Sequence, residues 1–439
     1  MQTPSSSQKL SLVNGRIHTA TSTASRITFE HGRIVAIDDD AASLTGKVID
    51  LHGRTVLPAF CETSLDFLSW AENQERLDLS TVRSVQDFTA AMTAFTQANT
   101  KPIRGWYVAQ NLPEGVNISR DDIDAVMPSM PCAVLSEKSS NAVLNSPAMS
   151  EFNMPQESIE ADGLTQHLPA LSTDDIVRLI KDYSPKVSAM GITEVWMNIH
   201  GDAAELWEII TNKLYDELAF RVRLNFGFDD VAAMNEFLAS GLRTGDGLPM
   251  CRIGGILVDD NLKQDDQKTM ITSAHLSGCQ VIAGSSQYSV NTLERMMKKF
   301  RKAPRHLIAS DGFNSKLLDR MKILDIGGIT LSDNPGNELH SAFLNGIVVS
   351  AGSGKSLVPP FRNIAAMVSH GLSTSEALCV YSWSAAWNGG AEMRRGLLAT
   401  GSDADVVVVE KDPFASRPEE IAGLSAAMTF CAGKCVYDR

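Results

Sequence analysis

Through the middle of the chain, short apolar runs alternate with stretches of helical spacing, and this alternation constrains the fold more than any other feature. The runs are Thr55 to Cys61, Cys132 to Ser136, Ile192 to Met197, Val222 to Phe226, Ile253 to Val258, Gln280 to Ala283, His306 to Ala309, Gly328 to Leu331 and Ile347 to Ser350. Between them, Thr173 to Met190, Asp202 to Leu218, Asp265 to Ser277 and Ser289 to Lys302 carry apolar residues at helical intervals behind polar caps. Strands apolar on both faces belong in parallel sheets covered by helices. The pattern predicts an α/β fold, a (β/α)8 TIM-like barrel over residues 57–390. Nine runs compete for eight places, so one lies outside the barrel.

The two ends of the chain have a different grammar. Leu10 to His18 places Asn14-Gly15 between apolar stretches, Arg26 to Ile37 repeats this around His31-Gly32, and Val48 to Pro58 adds strand, turn and strand. Each reads as a hairpin, and together as a small antiparallel sheet. From about Gly396 the grammar returns, with Ala404 to Glu410 as a buried strand and Met428 to Tyr437 as strand, turn, strand. Neither sheet buries both faces alone, so residues 1–56 and 391–439 are expected to form one β-sandwich from both chain ends.

Composition narrows the partners. Asp and Glu number 52 against 39 Lys and Arg, a net charge of −13 that repels nucleic-acid phosphate and anionic lipid. No apolar run approaches the ~20 residues of a membrane helix, and residues 1–9 have no apolar leader segment. Seven scattered cysteines make no disulfide framework. A cytoplasmic chain follows as the expectation, with a homodimer as the commonest arrangement for such barrels.

Several stretches carry a family resemblance. Val48-Ile-Asp-Leu-His-Gly-Arg-Thr-Val-Leu-Pro-Ala-Phe60 resembles the entry into the first barrel strand of the amidohydrolase superfamily, in its YtcJ-like group (amidohydrolase family 3). Gly396 to Pro413 is similar to the same family's return to the sandwich. Arg104-Gly-Trp-Tyr-Val108, Asn145-Ser-Pro-Ala148, Gly191-Ile-Thr-Glu-Val195 and Leu372 to Leu378 resemble further group-specific stretches. The resemblance implies a hydrolase of non-peptide carbon–nitrogen bonds that uses Zn or another divalent metal at the barrel mouth. Metal coordination lowers the pKa of water from 15.7 to about 7 and polarises the carbonyl.

Carried over position by position, the implied ligand set fails. Where the family usually reads Pro-Gly-Phe-x-Asp-x-His-x-His, this chain reads Pro58-Ala-Phe-Cys-Glu62-Thr-Ser64-Leu-Asp66, so the two histidines become Ser64 and Asp66. The mid-barrel Lys falls on Gly255, the next His on Ala283, a Glu-His pair on Ala309-Ser310, and the final Asp on Ala351. A substrate-side Asp-Gly-His motif reads Glu137-Lys-Ser139. Asp66 alone does not hold Zn²⁺, which takes three protein ligands in a catalytic site. Without the ion, water is about nine pK units harder to ionise, roughly 12 kcal/mol. A general base such as Asp66 or Glu62 returns under ~6 kcal/mol.

The candidate pocket is therefore Glu62, Ser64, Asp66, His200, Asp259, Ser310 and Asp311, with no residue assigned to a metal and no cofactor expected. Glu62, Ser64 and Asp66 alternate along one strand and are expected on one interior face, with Cys61 opposite. His200 is the histidine placed at the mouth, His306 belongs near the barrel floor, and Asp259-Asp260 and Ser310-Asp311 read as helix caps or acidic site groups. Ser350 to Ser356 ends like a phosphate loop but has Val349 where the first Gly belongs, leaving at most a small-anion nest. The expected protein is a metal-free, hydrolytically inactive homologue that binds a small molecule. The alternative is an active hydrolase with ligands relocated among His200, Asp66, Asp202, Asp259 and Asp311. A third reading is metal-independent acid–base chemistry by Glu62 and Asp66.

Overall fold

The computed structural model describes residues 9–38, 46–98, 101–137, 141–152, 158–160, 164, 167–200, 203–300, 304–332 and 334–439. They fall into two compact units, Met1–Phe67 with Lys181–Arg439, and Leu68–Ile180.

In the first unit both chain ends meet in two stacked sheets. One runs Arg33–Ile37, Ile27–Glu30, Leu10–Val13, Lys47–Asp50; the other runs Lys434–Asp438, Ala426–Cys431, Val406–Val409, Thr55–Pro58, Arg16–His18, Thr23–Ala24. Leu12, Ile27, Phe29 and Ile34 of the first pack with Ile17, Val56, Val406, Val408 and Phe430 of the second, all fully or almost fully buried. The N-terminal sheet is mixed rather than antiparallel, because Lys47–Asp50 pairs parallel to Leu10–Val13. The hairpin expected at Asn14-Gly15 also fails, since its flanking strands lie in different sheets. The type I′ turn needs positive φ at both central residues. His31-Gly32 and Ala432-Gly433 have it and close true hairpins, whereas at Asn14-Gly15 only Asn14 does. Gly15 serves close packing instead, as a Cβ there would stand 2.5 Å from Leu51 Cδ1.

Eight parallel strands form the barrel: Phe60–Leu65, Ile192–His200, Arg221–Gly227, Cys251–Val258, Gln280–Ala283, Leu307–Ser310, Gly327–Thr330 and Val349–Ala351. The first and eighth approach through a Leu65–Gly354 bridge and a hydrogen bond from Thr63 Oγ1 to the Ala351 carbonyl at 2.7 Å. The run Thr55 to Cys61 divides at Ala59, its first half pairing in the sandwich and its second opening the barrel. A buried ionic seam joins the barrel floor to the sandwich. Arg221 donates to Asp405 through Nε (3.1 Å) and Nη2 (3.0 Å), and Arg395 bridges Glu194 (2.6 Å) and Asp403 (3.0 Å).

The surplus ninth run, Cys132–Ser136, lies in the second unit. It is the middle strand of a sheet ordered Ser158–Glu160, Asn141–Leu144, Cys132–Ser136, Tyr107–Leu112, Leu77–Asp78. Phe88, Met92, Ala109, Ile123 and Val134 fill the core beneath it. The stretches around Arg104 and Asn145 brace this unit. Arg104 pairs with Glu72 at 3.1 Å, and Asn145 accepts from Cys132 N (2.9 Å) and Ala148 N (3.1 Å) while donating to the Met127 and Met130 carbonyls. Among the described residues no helix is long and apolar enough to cross a membrane.

Candidate functional site

The C-terminal ends of barrel strands are where this architecture gathers functional groups, and the first strand decides much of what happens there. Its pairing with the second slips: Glu194 faces Cys61 and Val195 faces Glu62, but Met197 faces Leu65. The extra residue is a bulge, which re-aims side chains beyond it. Strict alternation, expected from the sequence, therefore does not hold. Cys61 enters the barrel core with Trp196, Ile282, Leu307 and Ile329. Glu62, expected beside Ser64 and Asp66 on the interior face, shares instead the side of Phe60, whose ring packs on Phe361 and Tyr381.

Glu62 is fully buried there. Its carboxylate accepts from Ser353 N (2.8 Å), Ser64 N (3.1 Å) and Ser353 Oγ (2.7 Å). Burial pushes its pKa up to about 7, and these three hydrogen bonds offset only part of that rise. The group ties the first strand to the loop after the eighth. The same contacts occupy the suspected anion nest: Ser353 N goes to Glu62, Gly354 N to the Ser64 carbonyl at 2.7 Å, and Ser356 N to the Ser353 carbonyl.

Ser64 begins a chain of neutral groups across four strands. Asn198 Nδ2 donates to Ser64 Oγ (2.8 Å), Asn225 Nδ2 donates to Asn198 Oδ1 (3.3 Å), and Gly255 N donates to Asn225 Oδ1 (2.9 Å). Two glycines make room for it. A Cβ at Gly254 would stand 2.1 Å from Asn225 Oδ1, and one at Gly352 would stand 2.5 Å from Ser64 Cβ. Neither asparagine was singled out by sequence. The available signal was the polar residue inside each apolar run, Asn198 on the same face as His200 and Asn225 within Leu224-Asn-Phe226.

The remaining candidates are spread around this chain. Asp66, half-buried, follows the first strand, and its N–H donates to the Gly354 carbonyl at 2.8 Å. His200 is exposed at the end of the second strand, its ring so close over Gly227 that a Cβ there would meet Cε1 and Nδ1 at 2.6 Å. Asp202 and the tract Lys138 to Ser140 lie outside the described residues. Asp259 closes a local turn on Asn261 (N 2.8 Å, Nδ2 2.9 Å). Its neighbour Asp260 accepts from Ser286 N (2.9 Å) and Ser289 Oγ (2.8 Å) at the start of helix Gln287–Lys299. Ser310 Oγ donates to Ser285 Oγ (3.1 Å) and the Gly312 carbonyl (2.6 Å), while Asp311 is exposed. His306 is fully buried, accepts from Val281 N at 3.0 Å, and stands 2.8 Å from His275 Nδ1. Burial, then the neighbouring imidazole, drive its pKa down to about 3.

Gly255, Ala283, Ala309 and Ala351 offer no side-chain donor, and Ser64 is engaged with Asn198. Among the described residues no three His, Cys, Asp or Glu side chains gather where they could hold an ion.

Comparison with known proteins follows the same outline. The model of the amidohydrolase family matches residues 47–190 and 359–437. The stretch between them holds Gly255, Ala283, Ala309 and Ala351. The fold is similar to that of an uncharacterized metal-dependent hydrolase from Pyrococcus furiosus (TM-score 0.77, 17% identity, 92% of this chain and 100% of that one). A second such hydrolase, from Pyrococcus horikoshii OT3, gives TM-score 0.77 at 15% identity over 94% of this chain and 99% of that one. N-isopropylammelide isopropylaminohydrolase from Burkholderia multivorans gives TM-score 0.58 at 13% identity over 98% of both chains. No curated protein sequence matches the chain.

Proposed function

The chain belongs to the amidohydrolase family, and from that premise we propose that it has given up metal-dependent hydrolysis and keeps its barrel mouth to bind a small polar molecule without a cofactor. The observation that supports this is the Ser64–Asn198–Asn225–Gly255 chain. Where the family's chemistry calls for imidazole, lysine and carboxylate, these strands present hydroxyl, amide and backbone N–H groups already bonded to one another. Such groups recognise donors and acceptors on an uncharged ligand, but they do not generate hydroxide at neutral pH. The deficit of roughly 12 kcal/mol left by an absent metal exceeds the ~6 kcal/mol at most that a lone general base returns. Asp66, His200 and Asp311 at the rim then serve to orient a ligand.

Elemental analysis of protein purified without chelator tests the reading. The expected content of Zn, Mn, Fe, Co and Ni is far below one atom per chain, with no thermal stabilisation on adding them. About one tightly held transition ion per chain, lost together with activity in Asp66→Ala or His200→Ala, would establish instead the hydrolase with relocated ligands.

A further inference from the structure

On the outside of the barrel, helical segments follow the second and third strands. Ala203–Ile209 has seven residues before the chain turns into a π-helical segment, Ile210–Leu214, and Val231–Ala239 has nine. A cleft of about 560 Å³ is left between them. Its walls are Trp207, Phe226, Phe228 and Phe237, its base includes Ile253, and Glu208 and Glu236 stand exposed at its edge.

We propose that this cleft is a binding site for a small organic cation with an apolar body, of the alkyl- or arylammonium class. Three observations lead there. Phe237 meets Phe226 at 4.8 Å and Phe228 at 5.6 Å between ring centroids, in tilted pairs that make the cleft's lining an aromatic cluster. Trp207 is held by its surroundings: a Cβ on Gly247, which has φ +121°, would come within 2.6 Å of the indole Cη2. Finally, among the described residues the charged side chains lining the cleft are the two carboxylates, with no Lys or Arg beside them. Aromatic faces attract a cation placed over them, and two carboxylates at the rim favour the same charge. An anion meets repulsion there, and an uncharged apolar molecule gains only the aromatic walls. The site is distinct from the barrel mouth, so the proposal stands whether or not the mouth has lost its hydrolysis.

The test uses benzyltrimethylammonium, with benzyl alcohol and phenylmethanesulfonate as neutral and anionic counterparts. Binding is measured calorimetrically and by the indole N–H resonance of Trp207. The expected result is saturable binding of the cation that shifts the Trp207 signal, with both counterparts at least about tenfold weaker. Because Glu208 and Glu236 are exposed, the double variant Glu208→Gln/Glu236→Gln keeps the fold; it should weaken the cation about tenfold and flatten the salt dependence. Trp207→Leu should weaken it further. Equal affinity for cation and benzyl alcohol, indifference to the double variant, or a shift at Asn198 and Asn225 in place of Trp207 would overturn the assignment.

Discussion

Replacing Glu62 with Gln removes a single proton equilibrium from the place where the barrel's first strand meets the loop after its eighth. The carboxyl is fully buried, and its pKa stands at about 7 against an ordinary 4.5. A carboxyl raised in this way holds a proton that the unfolded chain has already released. Its contribution to stability is therefore complete below about pH 4.5 and is lost as the pH rises through 7. The whole interval amounts to roughly 3 kcal/mol, most of it falling between pH 5 and 8.5. His275 and His306 act in the opposite sense, since burial lowers both. Wild-type stability alone thus shows only a sum, and the useful quantity is the difference between wild type and Glu62→Gln. Gln leaves the packing of Phe60 intact but puts an NH2 group beside Ser353, a fixed cost that does not vary with pH. Urea unfolding of both proteins, followed on the transition of the unit that carries the barrel, should show wild type losing roughly 2–3 kcal/mol relative to the variant from pH 5 to 8.5. A difference that stays flat, or that grows in wild type's favour as pH rises, would refute the assignment of the raised proton affinity to Glu62.

Three further perturbations probe other parts of the molecule. His306→Leu should lessen the loss of stability below pH 6.5, because the buried imidazole, held down to about 3, opposes folding only where the unfolded chain is protonated; acid-unfolding curves of both proteins check it. Asn225→Ala leaves Asn198 Oδ1 and Gly255 N without their partner and should cost about 2–3 kcal/mol, read from denaturant midpoints. Arg221→Met leaves the largely buried carboxylate of Asp405 without its ion-pair partner, while Arg394 and Arg395 still hold Asp403, and should cost about 3–5 kcal/mol, with partial recovery on adding Asp405→Asn.

The barrel was legible because its strands are predominantly apolar, and apolar runs survive in one dimension as plain text. Cys132–Ser136 reads the same way, and only its partners reveal that it belongs to another sheet. Asn14-Gly15 misled because the dipeptide reports a tight turn but not which sheet each flanking strand will join. Glu62 misled for a related reason. Alternation of faces is a property of one strand, whereas the bulge that breaks it arises from register with the neighbouring strand. The asparagine chain across the mouth is likewise a property of register: Ser64, Asn198 and Asn225 are far apart in sequence, and each taken alone is an unremarkable polar residue. That Gly255, Ala283 and Ala351 carry no side-chain donor, by contrast, could be read directly, since it holds in any geometry.

The six-stranded sheet of the sandwich imposes a schedule on biosynthesis. Thr55–Pro58 pairs on one edge with Arg16–His18 and on the other with Val406–Val409, which the ribosome makes roughly 350 residues later. At about 5–20 residues per second, that edge waits some 20–70 s for its partner, its backbone open to any passing strand. The earliest part of the chain is thus among the last to be completed. A nascent chain stalled inside the barrel carries a half-built sheet, the species that a chaperone must shield and a protease will find first.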